Sequence, residues 1–387
     1  MSLGKETTPF RGLLVLPALI LILAVIFWPE KIAPPPTPPK PPVILELADL
    51  IERPEWAGLD RFQNTISRET FLHRLTTIYT KSEVWKEWIT IKNDHALIGD
   101  YKLQFAPSDQ PPPGALWDWK ASPDPKPGQP LHGLHIALDP GHIGGDYSQL
   151  EERHHEYPEL HPDMPPIKEG SMTLATARLL KPLLESKGAR VTLVRDKLEP
   201  TTPYSLRNFR EARLFYRTSE IRARAKLLNE KIRPDLVICL HYNATSSKIP
   251  LPGQDFHIIL NGTYAASELA NEDERFAMLQ RLLSGVIDEE IPLAAHIASV
   301  FSKKTGLPPY TYNRFSKTSQ NVALNPFLWA RNLLANRLYM CPVIFMEPYS
   351  MNSTEFIDRF QKNKQAIFEE YAGAVAEGII SYYARPQ

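Results

Sequence analysis

From Leu131 onward the chain repeats strand, loop and helix, and this rhythm limits the fold more than any other feature. LHIAL runs into Asp139-Pro140-Gly141-His142, and TLATARLLKPLLESKG reads as a helix stopped by Gly188, a natural residue just past a helix C-terminus. ARVTLVR is the next strand. Ser219 to Lys231 reads as a helix that Pro234-Asp235 turns into the strand LVICLH. Helices are expected over 265–286, 291–305 and 329–339, then the strand PVIFME, then one or two closing helices over 355–383. Alternation of this kind predicts an α/β domain over residues 131–387, a mostly parallel sheet flanked by helices.

Active sites in such folds gather at the carboxyl ends of strands. His142, His241 and Glu347 stand at such ends, and Glu169 opens a helix beyond a loop. Two imidazoles and one carboxylate are a common catalytic zinc set with an open fourth position. A second carboxylate is then free to act as general base and acid. The quartet points to a hydrolase rather than a binding module. Singly, each residue has a plainer reading: His142 as a turn residue, His241 as a satisfied core histidine, Glu169 as a helix-start carboxylate favoured by the dipole. Glu347 is harder to set aside, because it follows the apolar run CPVIFM and a carboxylate there needs a partner.

Over about residues 131–385 these motifs resemble the zinc-dependent N-acetylmuramoyl-L-alanine amidases of the Amidase_3 type. The family's Asp-Pro-Gly-His-Gly-Gly motif is matched by DPGHIGG at 139–145. Its helix-start Glu is matched by Glu169, followed by GSMTLATARLLKPLLESKGARVTLVR with Arg195 at the strand end. The Arg-containing helix is matched by IRARAKLLN with Arg224, the histidine strand by LHYNA with His241 and Asn243, and the final motif by EPYSMN with Glu347. The resemblance implies one Zn2+ held by His142, Glu169 and His241. It implies Glu347 as general base and acid in cleaving the amide between N-acetylmuramic acid and L-alanine of peptidoglycan. Asn243 and Arg224 are candidate supporting residues. Asp139 is expected to accept turn amides or to back the His142 imidazole, and Arg195 to be structural, paired with a carboxylate.

The chain departs from the pattern at Ile143, where the family has Gly, and at Pro348 and Tyr349, where it has Gly and Phe. Residues 146–168, DYSQLEERHHEYPELHPDMPPIK, form an insert that reads as a lid, a cleft wall or a surface loop. Its His154, His155 and Glu156 are alternative ligands on composition alone. ELANEDERF has acid enough to resemble the inhibitory helix of some family members, whose carboxylate blocks the zinc until a regulatory partner removes it. Two rival functions stay open: another zinc amide hydrolase acting on a different envelope substrate, and a non-catalytic wall-binding protein.

Lys and Arg total 44 and so do Asp and Glu, so the formal net charge of zero gives no electrostatic case for nucleic acid. Cys239 and Cys341 sit in apolar runs and read as buried thiols, with a disulfide open if their strands are neighbours. GLLVLPALILILAVIFW, residues 12–28, carries no charge, and at about 1.5 Å per residue it reaches roughly 26 Å, near the lower end of a spanning helix. Lys5 and Arg11 precede it, which predicts a single-pass signal anchor with residues 1–11 cytoplasmic and the bulk outside; a cleaved signal peptide is the alternative. A Pro-rich spacer over 29–45, an ordered segment of unnamed role over 46–106 and a linker over 107–130 follow. In the ordered segment, 67–80 and SEVWKEWITI read as helical and YKLQFA as a strand, with Trp56, Trp85 and Trp88 as packing residues. A membrane-tethered wall hydrolase implies a bacterium and a catalytic domain on the periplasmic or extracytoplasmic side of the inner membrane.

Overall fold

Short apolar runs, buried on both faces, set the main sheet. The computed structural model describes residues 54–110, 124–211, 215–247, 249–313 and 315–385, all within one compact unit, Leu45–Gln387. The expected anchor at 12–28 and the spacer at 29–45 lie outside the described residues. Among the described residues no helix is long and apolar enough to cross a membrane.

The strands are β1 (Ile89–Ile91), β2 (His95–Ile98), β3 (Tyr101–Gln104), β4 (His135–Pro140), β5 (His154–His155), β6 (Ile167–Lys168), β7 (Arg190–Leu193), β8 (Leu236–Leu240), β9 (Phe256–Leu260), β10 (Gln320–Asn321), β11 (Leu328–Ala330) and β12 (Val343–Pro348). The main sheet has the order β7-β4-β8-β12-β9-β11-β10. β4 runs parallel to β7 and β8, β8 to β12, and β9 to β11, while β9 is antiparallel to β12 and β10 to β11. The sheet is therefore mostly parallel, as the alternation predicts. β4, β8 and β12 lie side by side in its centre, so their carboxyl ends open into one place.

Period-two alternation divides the interior. Ile136, Leu138, Ile238, Leu240, Ile344 and Met346 face one core, into which α2 (Glu169–Glu185), α5 (Ile287–Thr305) and α6 (Thr354–Tyr383) pack. Ala137, Cys239, Val343 and Phe345 face the other, closed by Ala225 of α3 (Phe215–Lys226), by Leu228 just beyond that helix, and by Ala335 and Tyr339. Both cysteines are buried and unbridged.

The structure corrects several local expectations. Residues 328–330 form a strand, not the start of a helix, because they are paired along β9; only Leu334–Leu338 is helical there. FHIIL, for which the alternation predicts no element, is the fully buried β9. It runs antiparallel to β12, so no crossover helix announces it. SEVWKEWITI gives a 3-10 turn over Val84–Glu87 and then β1, since Ile89 pairs with Ile98 of β2. By contrast α1 (Arg68–Arg74) begins as read, with the Ser67 side chain accepting from the Thr70 amide. The 54–106 segment joins the same core. The Thr263 and Tyr264 amides donate to Ile78 and Tyr79 carbonyls at 2.8 Å, and the Trp56 indole donates to Glu272 at 2.7 Å.

One buried ion pair ties α4 (Glu272–Ser284) and α5 to the strand that carries Glu347. Arg281 donates to the Tyr339 and Cys341 carbonyls and meets Glu290 at 2.5 Å, and Glu290 accepts the Val343 amide at 2.7 Å. Removing one member strands the other charge. Glu290→Ala is expected to cost about 3–5 kcal/mol, read as a lowered urea midpoint of the metal-free protein.

Candidate active site

The loop after β4 is built around backbone carbonyls. His142 sits in the left-handed region (φ 59°), which turns its carbonyl inward. Arg195 donates to the carbonyls of Pro140 (3.2 Å), His142 (2.7 Å), Gly141 (3.2 Å) and Gly170 (2.6 Å). Arg224 donates to Pro140 and His142 carbonyls, each at 2.9 Å, and pairs with Asp139 (2.9 Å) and Glu220 (3.0 Å). Arg195 is thus structural, but carbonyls rather than a carboxylate hold it. Asp139 does not back the His142 imidazole. It lies on the sheet face of Ala137 and Cys239, where it takes Arg224 and the Tyr339 hydroxyl (2.6 Å). Burial opposes the charge on Arg224, but Asp139 and Glu220 carry its pKa above the ordinary value.

Glycines make the close approaches. A Cβ on Gly141 would lie 2.2 Å from the His241 ring, and one on Gly170 would lie 2.4 Å from the Gly144 amide. The start of α2 can therefore lie against the β4 loop and bring Glu169 to the histidines. His142 Nε2 lies 3.1 Å from Glu169 Oε2, and His241 Nδ1 lies 3.0 Å from Glu169 Oε1. Glu169 also accepts the Tyr242 amide (3.1 Å) and meets Arg153 Nε (3.0 Å). The His241 ring stacks on Phe345 (4.4 Å between centroids) and meets His142 edge-on.

His142, Glu169 and His241 each offer a ligand atom, all within 4.8 Å of one another. A tetrahedral ion with bonds of about 2.1 Å needs ligand atoms about 3.4 Å apart. The two histidine–carboxylate distances run to different Glu169 oxygens, the three ligand atoms lie within 4.8 Å of one another, and the N, O, N donor set fits zinc. Burial works against charge on His142, yet Glu169 and Glu151 lift its pKa to about 9. Burial would raise Glu169, but the two imidazoles hold it well below the usual carboxylate range. Burial lowers His241.

Glu347, half-buried at the end of β12, shares a sheet face with Phe345 and so with the His241 ring. Among the described residues no hydrogen-bond donor or ion-pair partner reaches its carboxylate. Burial and then the charge of Glu169 push it up to about 8. Asn243 points elsewhere: its amide donates to Asp255 at 3.2 Å.

The insert contributes two residues the sequence did not single out. Glu151, 3 % exposed, accepts the Ile143 (2.8 Å) and Gly144 (2.9 Å) amides and lies 3.5 Å from His142 Nδ1. Arg153 is the cation on Glu169. Nothing in LEERHH separates Glu151 from Glu152; only the fold does. His154 bonds to Glu156 (2.7 Å) and His161 to Asp358 (2.9 Å), so neither joins the trio. The acids of ELANEDERF are engaged elsewhere: Glu268 with the Ala265 amide (2.7 Å), Glu272 with Trp56, Asp273 with Arg222 (3.5 Å), Glu274 with Arg337 (2.7 Å).

This constellation, at the carboxyl ends of neighbouring parallel strands, is that of a hydrolase site with a donor set able to hold a metal. The chain belongs to the Amidase_3 family, N-acetylmuramoyl-L-alanine amidase, matched over residues 136–381. Similar solved structures include the apo N-acetylmuramyl-L-alanine amidase Ami1 from Mycobacterium abscessus (19% identity, 65% of this chain and 99% of that one, TM-score 0.41). Others are the amidase AmiC2 of Nostoc punctiforme (17%, 65% and 98%, 0.39) and the CwlD amidase from Clostridioides difficile in complex with the GerS lipoprotein (17%, 64% and 98%, 0.42). No curated protein matches the chain.

Gly141→Ala forces the His241 ring away from Glu169. The expected outcome is loss of stoichiometric zinc binding with the fold retained, checked by metal analysis and circular dichroism; full zinc occupancy would contradict the packing described.

Proposed function

We propose that this amidase cleaves the bond between N-acetylmuramic acid and L-alanine with zinc held by His142, Glu169 and His241 and with Glu347 as general base and then general acid. The observation that carries the mechanism is Glu347: a half-buried carboxylate with no donor among the described residues, beside a trio whose own carboxylate is saturated with donors. Zinc, when bound, supplies Lewis acidity toward the amide carbonyl and toward water. Glu347 takes the proton of the attacking water on its carboxylate, holds it, and delivers it to the departing L-alanine nitrogen. Phe345 fixes the His241 ring by stacking, and the two arginines keep the His142 loop rigid while the proton moves. For location we propose the arrangement read from the sequence: residues 12–28 anchor the enzyme in a bacterial inner membrane and the Pro-rich segment carries it outward to the wall.

The test is release of new L-alanine amino termini from purified peptidoglycan by the full-length protein, with zinc, with chelator, and with Glu347→Gln. The substitution should lower kcat by about 10²–10⁴-fold and leave zinc bound. Undiminished cleavage would remove Glu347 from the mechanism.

Zinc binding should also depend on pH in a defined direction. With its pKa lifted to about 9, His142 is protonated in the metal-free protein below that value and must lose the proton to bind a cation. Affinity should therefore fall as pH drops below about 9, with protons released as zinc binds. Calorimetry in buffers of different ionisation enthalpy reads this directly, and zero proton release would contradict it.

A further inference from the structure

We propose that Glu151, delivered by the 146–168 insert, is a positioning residue that fixes the proton of His142 on Nδ1 and so presents Nε2 to the metal. This rests on the zinc reading above. The two ring nitrogens have different surroundings. Nε2 faces Glu169 Oε2 at 3.1 Å, on the side where the three donors converge. Nδ1 faces Glu151 Oε1 at 3.5 Å, on the side of the insert. A neutral imidazole has one N–H, and an ionised carboxylate only accepts. Facing Nδ1 with a carboxylate keeps the proton there and leaves the Nε2 lone pair for a cation.

Glu151 is held for that task. Its two oxygens accept the Ile143 and Gly144 amides at 2.8 and 2.9 Å, and it is 3 % exposed, so it cannot swing away from the ring. Each oxygen takes one of the two amides, which only a carboxylate can do at both positions, and Oε1 also faces Nδ1 of His142. Two residues on, the insert grips the other ligand: the Arg153 carbonyl accepts the Glu169 amide at 3.2 Å and the Arg153 guanidinium meets Glu169 Oε2. The insert is therefore a brace beneath the metal ligands as well as a stretch of surface.

The experiment measures zinc affinity of the full-length protein by competition with a chromogenic chelator, for wild type, Glu151→Gln and Ser171→Ala. Ser171 is the control: its hydroxyl accepts the Gly145 amide of the same loop at 3.1 Å without facing His142. Glu151→Gln should weaken zinc by about 10–100-fold, while Ser171→Ala should lower only the melting temperature. Wild-type affinity in Glu151→Gln overturns the proposal, and so does equal weakening by both variants, which would reduce Glu151 to a loop brace. Should Glu151→Gln not fold, a zinc-loaded crystal structure of the wild type decides: Nε2 on the metal with Nδ1 hydrogen-bonded to Glu151 supports it, and Nδ1 on the metal overturns it. A wild-type chain that binds no zinc refutes the metal-site reading itself, a result distinct from the others.

Discussion

Two buried guanidinium groups hold the site together. Where β4 ends, the Pro140, Gly141 and His142 carbonyls turn into the protein, and a buried carbonyl needs a donor. Arg195 and Arg224 supply the donors, and Arg195 adds the Gly170 carbonyl at the start of α2. A planar fork with five N–H groups can span several carbonyls at once, which an ammonium cannot. Two like charges this close need compensation, and Asp139 and Glu220 supply it through Arg224. The left-handed turn at His142 follows from the same arrangement: the carbonyl goes to the arginines and the imidazole goes to Glu169.

This also accounts for which glycines the motif needs. Gly141 lies under the His241 ring, and Gly144 and Gly170 touch backbone to backbone, so a Cβ at any of the three collides. Position 143 is different. Ile143 is fully buried against Phe209, with Tyr147, Leu150 and Tyr204 around them. Isoleucine in place of the family's glycine there adds a small apolar anchor for the insert and leaves the ligand geometry alone.

Much of the catalytic domain was legible because α/β alternation is a strong periodic signal, and because strand ends in such a sheet share one edge. His142, His241 and Glu347 could be grouped on that ground before any coordinates. What stayed hidden was set by non-local pairing. β9 and β11 are short runs whose strand character comes from lying against β12 and each other, and Trp329 looks helical until that partner is present. Glu151 could not be told from Glu152, and Arg153 carried no motif, since their roles come from how a long insert folds back. Asp139 was misjudged for the opposite reason: sequence adjacency suggested the His142 imidazole, but Arg224 and the Tyr339 hydroxyl take up its carboxylate.

The two carboxylates at the site have opposite surroundings, and this separates their roles. Glu169 receives two imidazoles, a backbone amide and a guanidinium, so its charge is favoured at every ordinary pH. A group so held cannot exchange protons during turnover, but it suits permanent ligation. Glu347 has burial and a like charge for neighbours, which bring it to about 8, within reach of both protonation states near neutrality. A cation arriving at the trio lowers that value by direct attraction and moves Glu347 toward the ionised form that accepts a proton from water. In the proposed mechanism, occupancy of the metal site and readiness of Glu347 as base are thus linked by charge, without any movement of the chain.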